Sequence, residues 1–390
     1  MDAADRDWTG RRFGLLATGM LSLLGGLWAG LLRMGWAGPL LHTALPSAHG
    51  PLMVCGFLGT VICLERAVAL DRAGAFLAPA CTGVGGVLTL VGVGGHLGPL
   101  LITGGSLGLV AIFGIVLSVQ WAPFSLVMAS GAGAWAVGNG LWLSGWPVPL
   151  LVPWWMGFLV LTIVGERLEL SRLLNHGPWT QRLVLGLAAL LGSGLLLSVT
   201  APSTGMRVMS AAMIGLALWL TICDMARRTV RTEGLPRFTA LCLLIGYGWL
   251  AVGGGLGLLA GNPGAGLVYD ALLHAVFVGF VFSMIFGHAP IIIPSVLGIT
   301  LSYRPLFYLP VGLLHLSLVA RTIGDLTGLS ALRMAGGWGN AGAICLFLGG
   351  LVYAARGPGK SPSPPLHTAT NPNSAASAPD DLPDLQLEAD

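Results

Sequence analysis

Eight histidines occur in this chain, and four of them, His49, His274, His288 and His315, fall in or at the edge of long apolar stretches. An ionisable ring in such a stretch is costly unless something binds it, so each is a candidate for function. His49 opens "HGPLMVCGF" (49–57) and His274 stands early in "LLHAVFVGF" (272–280). Both runs enter the membrane from the same side, which puts the two imidazoles at a similar depth. Two neutral imidazoles from separate helices can hold one haem iron axially, and Gly50 would ease the approach of a flat ring. His288 follows His274 by fourteen residues. On an α-helix that spacing returns to within about 40° of the same face and lies about 21 Å deeper. A second metal there would need His315, and a copper ion or a plain hydrogen bond fits this pair equally well. His42, His96 and His176 read as interfacial polar residues, and His367 lies in a polar tail.

The elements that must position these rings follow from composition. The 390 residues are 55% hydrophobic and 9% charged, against about 25% charged in soluble domains, which points to an all-α polytopic membrane protein. Apolar runs between Pro, Gly and Arg clusters give twelve expected spans, at 13–32, 47–66, 75–95, 99–120, 124–144, 149–168, 182–200, 207–225, 238–260, 269–293, 305–321 and 333–354. The first run is about 20 residues, enough to span and too long for a signal-peptide core. Residues 1–12 are then a cytoplasmic N-terminus, 13–355 one membrane domain, and 356–390 a Pro-, Ser- and Asp-rich cytoplasmic tail too polar to order itself.

Arginine bias sets the orientation. With the N-terminus in the cytoplasm, fifteen of the nineteen basic residues fall inside, and only Arg33, Arg207, Arg321 and Arg333 fall outside. An even number of spans brings the C-terminus back inside, as expected for a bacterial-type inner membrane protein. The basic residues sit in short loops, so the net charge of +3 implies no nucleic-acid partner. The six cysteines form no C-x-x-C and read as small buried hydrophobes, without a disulfide framework or zinc site.

An internal repeat ties the histidines to the topology. "GFLGTVICLER" (56–66) and "GFLVLTIVGER" (157–167) share G-F-L-x-x-x-I-x-x-E-R, and "GFVFSMIFGHA" (279–289) keeps the Gly-Phe and Ile, with His288 in place of the glutamate. The copies stand four spans apart, which implies three four-helix arcs about a pseudo-threefold axis. The Glu65-Arg66 and Glu166-Arg167 ends read as ion pairs that fix helix depth.

Twelve spans with both ends inside, threefold arcs and histidines on spans 2 and 10 resemble subunit I of the haem-copper oxidases and nitric oxide reductases. In that family the low-spin haem is held by one histidine on each of those helices, and "HGPLM" (49–53) is similar to the family's helix 2 pattern. The family's helix 10 carries Gly, Pro and Gly at offsets matched here by Gly287, Pro294 and Gly298. Two departures stand out. Leu272 occupies the place of the high-spin haem ligand, and spans 6 and 7 hold no histidine where the family binds copper B. The chain looks like a divergent member of the smaller NnrS-like group, haem- and copper-containing membrane proteins linked to nitric oxide response and denitrification.

The resemblance implies a low-spin bis-histidine haem b at His49 and His274, with Arg321 and Arg33 facing its propionates and a copper ion at His288 and His315 as a further option. It implies no conventional oxygen-reducing binuclear centre. Nitric oxide or an electron donor would be the partner besides haem and lipid, and whether a reaction is catalysed stays open. A cofactor-free transporter or a scaffold is the competing expectation.

Overall fold

The computed structural model describes residues 3–174 and 177–356. The tail beyond them, with His367, and His176 lie outside the described residues. Among the described residues every regular element is helical. Twelve long helical segments follow one another: α1 (Ala3–Arg33), α2 (Leu45–Leu70), α3 (Ala73–Val91), α4 (Leu97–Val119), α5 (Pro123–Leu143), α6 (Val148–Ser171), α7 (Pro178–Thr200), α8 (Pro202–Cys223), α9 (Gly234–Ala260), α10 (Leu267–Leu297), α11 (Pro305–Thr327) and α12 (Ser330–Arg356).

Each expected apolar run falls on one of these helices. Eleven are long and apolar enough to cross a membrane, an architecture consistent with a polytopic helical membrane protein. The exception is α5, which spans 21 residues but is diluted by Gly, Ser and Asn139. The helical backbone also starts at Ala3, inside the segment expected to precede the first span, since no proline interrupts the chain between Ala3 and Phe13. Elsewhere local chemistry sets the ends. Proline opens α5, α7 and α8, where its missing N–H costs nothing. Glycine in the left-handed conformation closes α3 at Gly92 (φ 72°) and α10 at Gly298 (φ 65°). Gly298 thus has a helix-ending role of its own, and Gly287 faces α9, where a Cβ would meet Cys242 Cβ at 3.1 Å.

The helices that carry the repeat are also the buried ones. The most apolar windows of α2, α6 and α10 are 61%, 78% and 67% enclosed, against at most 50% in the other candidate spans. The core gathers around them, as in the Trp135–Phe158 stack (4.6 Å, 8°) between α5 and α6. Near one end of α2 and α6, the Arg66 guanidinium bridges the carboxylates of Glu65 and Glu166, joining two copies of the repeat. Arg167 instead lies buried beside Asp224, in the turn after α8. Burial pushes the Asp224 carboxyl up from its ordinary value, against the pull of Arg167 and of the Ala226 N–H it accepts at 2.7 Å.

Both α2 and α10 depart from α geometry in the same place. Residues Leu52–Leu58 and Ala275–Phe282 are wound as π-helix, as in the Gly59 N–H that reaches back to Val54 O. Such widened turns recur at functional sites. Each lies directly beyond one of the two candidate histidines.

Candidate functional site

The π-turns have a geometric consequence. In a plain α-helix, residues eight apart are rotated about 80° from one another. Here His49 and Phe57 on α2 meet His274 and Phe282 on α10 at both levels. The imidazole centres are 6.2 Å apart with planes 15° from parallel, and the phenyl centres are 6.1 Å apart at 29°. The wider turns take up the excess rotation, so each helix presents its histidine and its phenylalanine to the same neighbour.

Both imidazoles are fixed in the same tautomer. His49 Nδ1 donates to Gly26 O at 2.7 Å, and His274 Nδ1 donates to Asp270 O at 2.8 Å. A carbonyl can only accept, so the proton sits on Nδ1 in each ring and the lone pair is left on Nε2. That is the usual arrangement of a metal-binding imidazole, in which the second nitrogen is tied to a carbonyl or carboxylate. Two imidazoles bound in line to one ion at about 2.0 Å per nitrogen would have ring centres roughly 6 Å apart, which matches the spacing found.

The two rings border one cavity of about 290 Å³ between α1, α2, α6, α10, α11 and α12. Its walls are largely apolar, including Met53, Trp155, Phe277 and Phe282, and its polar rim holds Arg33, Tyr269, Asp270, Arg321 and Arg333. Gly50 borders it too, where a Cβ would meet only Trp155 at 3.9 Å. Gly30 does the opposite. A Cβ there would stand 2.8 Å from two atoms of the His49 ring, so the glycine face of α1 is the seat on which His49 rests.

His274 has a more elaborate support. The Asp270 carboxylate stands one turn before it, with Oδ1 3.4 Å from Nδ1. Arg321 donates to Asp270 Oδ2 through both Nε (3.0 Å) and Nη2 (2.8 Å). Arg333 lies 3.9 Å from the same oxygen and 2.9 Å from Asp325 Oδ1. Close packing of α11 on α12 makes this possible: a Cβ on Gly336 would stand 2.5 Å from Arg321 N. Arg33 borders the rim and makes no ion pair among the described residues. The Tyr269 hydroxyl and Asn340 Oδ1 are buried and lack a hydrogen-bond partner among the described residues, and both residues line the cavity.

The other two candidate histidines are placed differently. His315 Nδ1 accepts the Trp249 indole N–H at 3.1 Å, and its Nε2 faces Ser283 Oγ at 3.5 Å. Its lone pair is therefore in use. His288 Nδ1 donates to Met284 O at 2.7 Å, which leaves Nε2 available. No group of three or more His, Cys, Asp or Glu side chains is gathered as a metal site among the described residues.

The structure thus brings His49, His274, Arg33 and Arg321 to one cavity and gives His288 and His315 separate partners. Sequence reasoning missed Asp270, Arg333, Tyr269 and the Gly26–Gly30 seat. Asp270 was findable, as an acid four residues before a candidate ligand on the same apolar helix. The seat on α1 and the π-turns left no such signal.

No curated protein matches the chain. Its membership is nevertheless plain, because residues 12–356, nearly all of the helical bundle, match one family over their whole length, and the chain belongs to that family, described as "Domain of unknown function (DUF8744)".

Proposed function

We propose that this protein is an integral membrane b-type haem protein of the NnrS and haem-copper oxidase-like group, working in nitric oxide response or denitrification without a conventional oxygen-reducing centre. One observation carries the reading: two imidazoles on separate helices, near parallel and 6.2 Å apart, each with Nδ1 tied to a carbonyl. The donor set suits a low-spin iron, and the orphaned Tyr269 and Asn340 oxygens fit a cavity built for a polar-edged ligand.

His49 and His274 would hold the iron. Arg33 is the arginine left for a propionate, since Arg321 has turned Nε and Nη2 to Asp270. When bound, the haem supplies a one-electron store inside the bilayer. The protein's own residues fix both ligands in one tautomer and exclude water with the Phe57–Phe282 pair and the apolar walls. Leu272, fully buried, leaves no ligand for a second haem. Copper remains the candidate guest of His288, with His315 only after Trp249 releases it.

The same reading takes α5 as a twelfth span and α2, α6 and α10 as the inner helices of three four-helix arcs, supported by their shared repeat and their burial. It places both termini in the cytoplasm of a bacterial-type inner membrane, supported by the arginine bias, so that the haem lies toward the outer face. The test is a reduced-minus-oxidised optical spectrum of purified protein expressed with haem supply. The reading expects a b-type signal that His49→Ala and His274→Ala each abolish. A wild type without haem would instead support the transporter or scaffold.

A further inference from the structure

The two imidazoles differ in what stands behind them. His49 has a single neutral support, Gly26 O on α1. His274 has the Asp270 backbone carbonyl at 2.8 Å and, 3.4 Å from the same nitrogen, the Asp270 carboxylate. That carboxylate cannot turn away freely, because Arg321 holds its other oxygen through two nitrogens. Arg321 is only 9% exposed, and α12 closes over it at Gly336. Behind it Arg333 joins Asp270 to Asp325, whose side chain is fully buried. The network puts a carboxylate oxygen of Asp270 nearest the His274 ring.

A carboxylate beside the N–H of a metal-bound imidazole makes that imidazole the more basic ligand. It stabilises the higher oxidation state of the metal and lowers its reduction potential. We infer that Asp270 is a positioning residue of this kind: held by Arg321, it orients His274 and sets the reduction potential of the bound iron, making His274 the stronger of two unequal ligands. The inference rests on the haem reading above. It also assigns Arg321 a role as the clamp of Asp270, in place of a propionate partner.

The test is potentiometric titration of the purified full-length haem-loaded protein, with Asp270→Asn, Arg321→Gln and the double variant. Asp270→Asn is expected to shift the midpoint potential positive while keeping the bis-histidine spectrum, and Arg321→Gln to shift it negative. The double variant removes one charge of each sign, so a simple field effect cancels in it. The inference expects it to stay positive of wild type. A double variant that returns to the wild-type potential, or an unshifted Asp270→Asn, overturns the proposal while leaving the haem reading intact. Absence of haem from the wild type overturns both. Should Asp270→Asn fail to accumulate, Asp270→Glu keeps the charge but moves it along the helix. A potential unchanged in that variant equally overturns the role.

Discussion

Helix α10 carries His274 and His288 at two depths, each with Nδ1 donating to the carbonyl four residues back, but among the described residues only His274 has a second imidazole beside it. Directly after His274 the backbone winds as a π-helix, the His49 imidazole stands 6.2 Å away beside the shared cavity, and Nδ1 gives its proton to a carbonyl, which leaves the lone pair on Nε2. At the level of Ser283, His315 comes in from α11, but its lone pair is already taken by the Trp249 indole. His288 has its lone pair on Nε2 and no partner ring among the described residues. The difference teaches that an imidazole in an apolar helix is not by itself a ligand. What distinguishes the two places is which nitrogen is occupied and whether a second imidazole stands close enough to share one ion.

The largest way to break this comparison is to delete the rings one by one. His49→Ala or His274→Ala should remove the low-spin haem signal completely, whereas His288→Ala and His315→Ala should leave it intact, read by optical spectroscopy. Equal loss from all four would erase the distinction. The ion pairs at the two ends differ as well. The Asp270–Arg321 pair is 19% and 9% exposed, so Arg321→Ala strands a carboxylate and should cost roughly 3–5 kcal/mol. Arg66 and its glutamates are 18% and 28% exposed, so water reaches the stranded carboxylates more readily and Arg66→Ala should cost less, roughly 1–3 kcal/mol. Thermal unfolding in detergent would rank them, and a reversed order would contradict the burial argument.

A smaller change probes the His49 seat. Gly30→Ala places a Cβ against the imidazole, and haem retention should fall roughly tenfold, in the range that changes behind a metal ligand produce. Haem titration of the apoprotein measures it, and unchanged affinity would show that α1 yields freely. The gentlest probe is Trp249→Phe, which frees His315 Nδ1 and should leave the haem spectrum alone. If the deeper region can hold copper, this variant should bind more of it than wild type, in a manner lost with His288→Ala. Equal copper content in all three proteins would remove the metal from that region.

Much of this was legible in the chain. Apolar runs located each long helix, and the repeat, whose Gly-Phe and Ile are common to all three copies, marked the three that are most enclosed. Depth alone paired His49 with His274. The run at 124–144 forms a helix, as expected, yet its Gly, Ser and Asn content leaves it less apolar than the others. Arg321 was found as a residue but not in its setting, since its partner Asp270 lies on another helix. The π-turns and the Gly30 seat depend on how three helices pack, and no local pattern records that. Likewise, nothing near His315 in sequence announces Trp249, 66 residues away.

The central claim is that the two near-parallel imidazoles bind one iron, and low-temperature electron paramagnetic resonance of the oxidised, haem-loaded protein tests it most directly. Ligand planes 15° apart should give a rhombic low-spin ferric signal with three resolved g values, lost when either histidine is replaced. A single strongly anisotropic low-spin feature would mean crossed ligand planes, and a high-spin signal would mean that one imidazole is not bound. Either result would contradict the account.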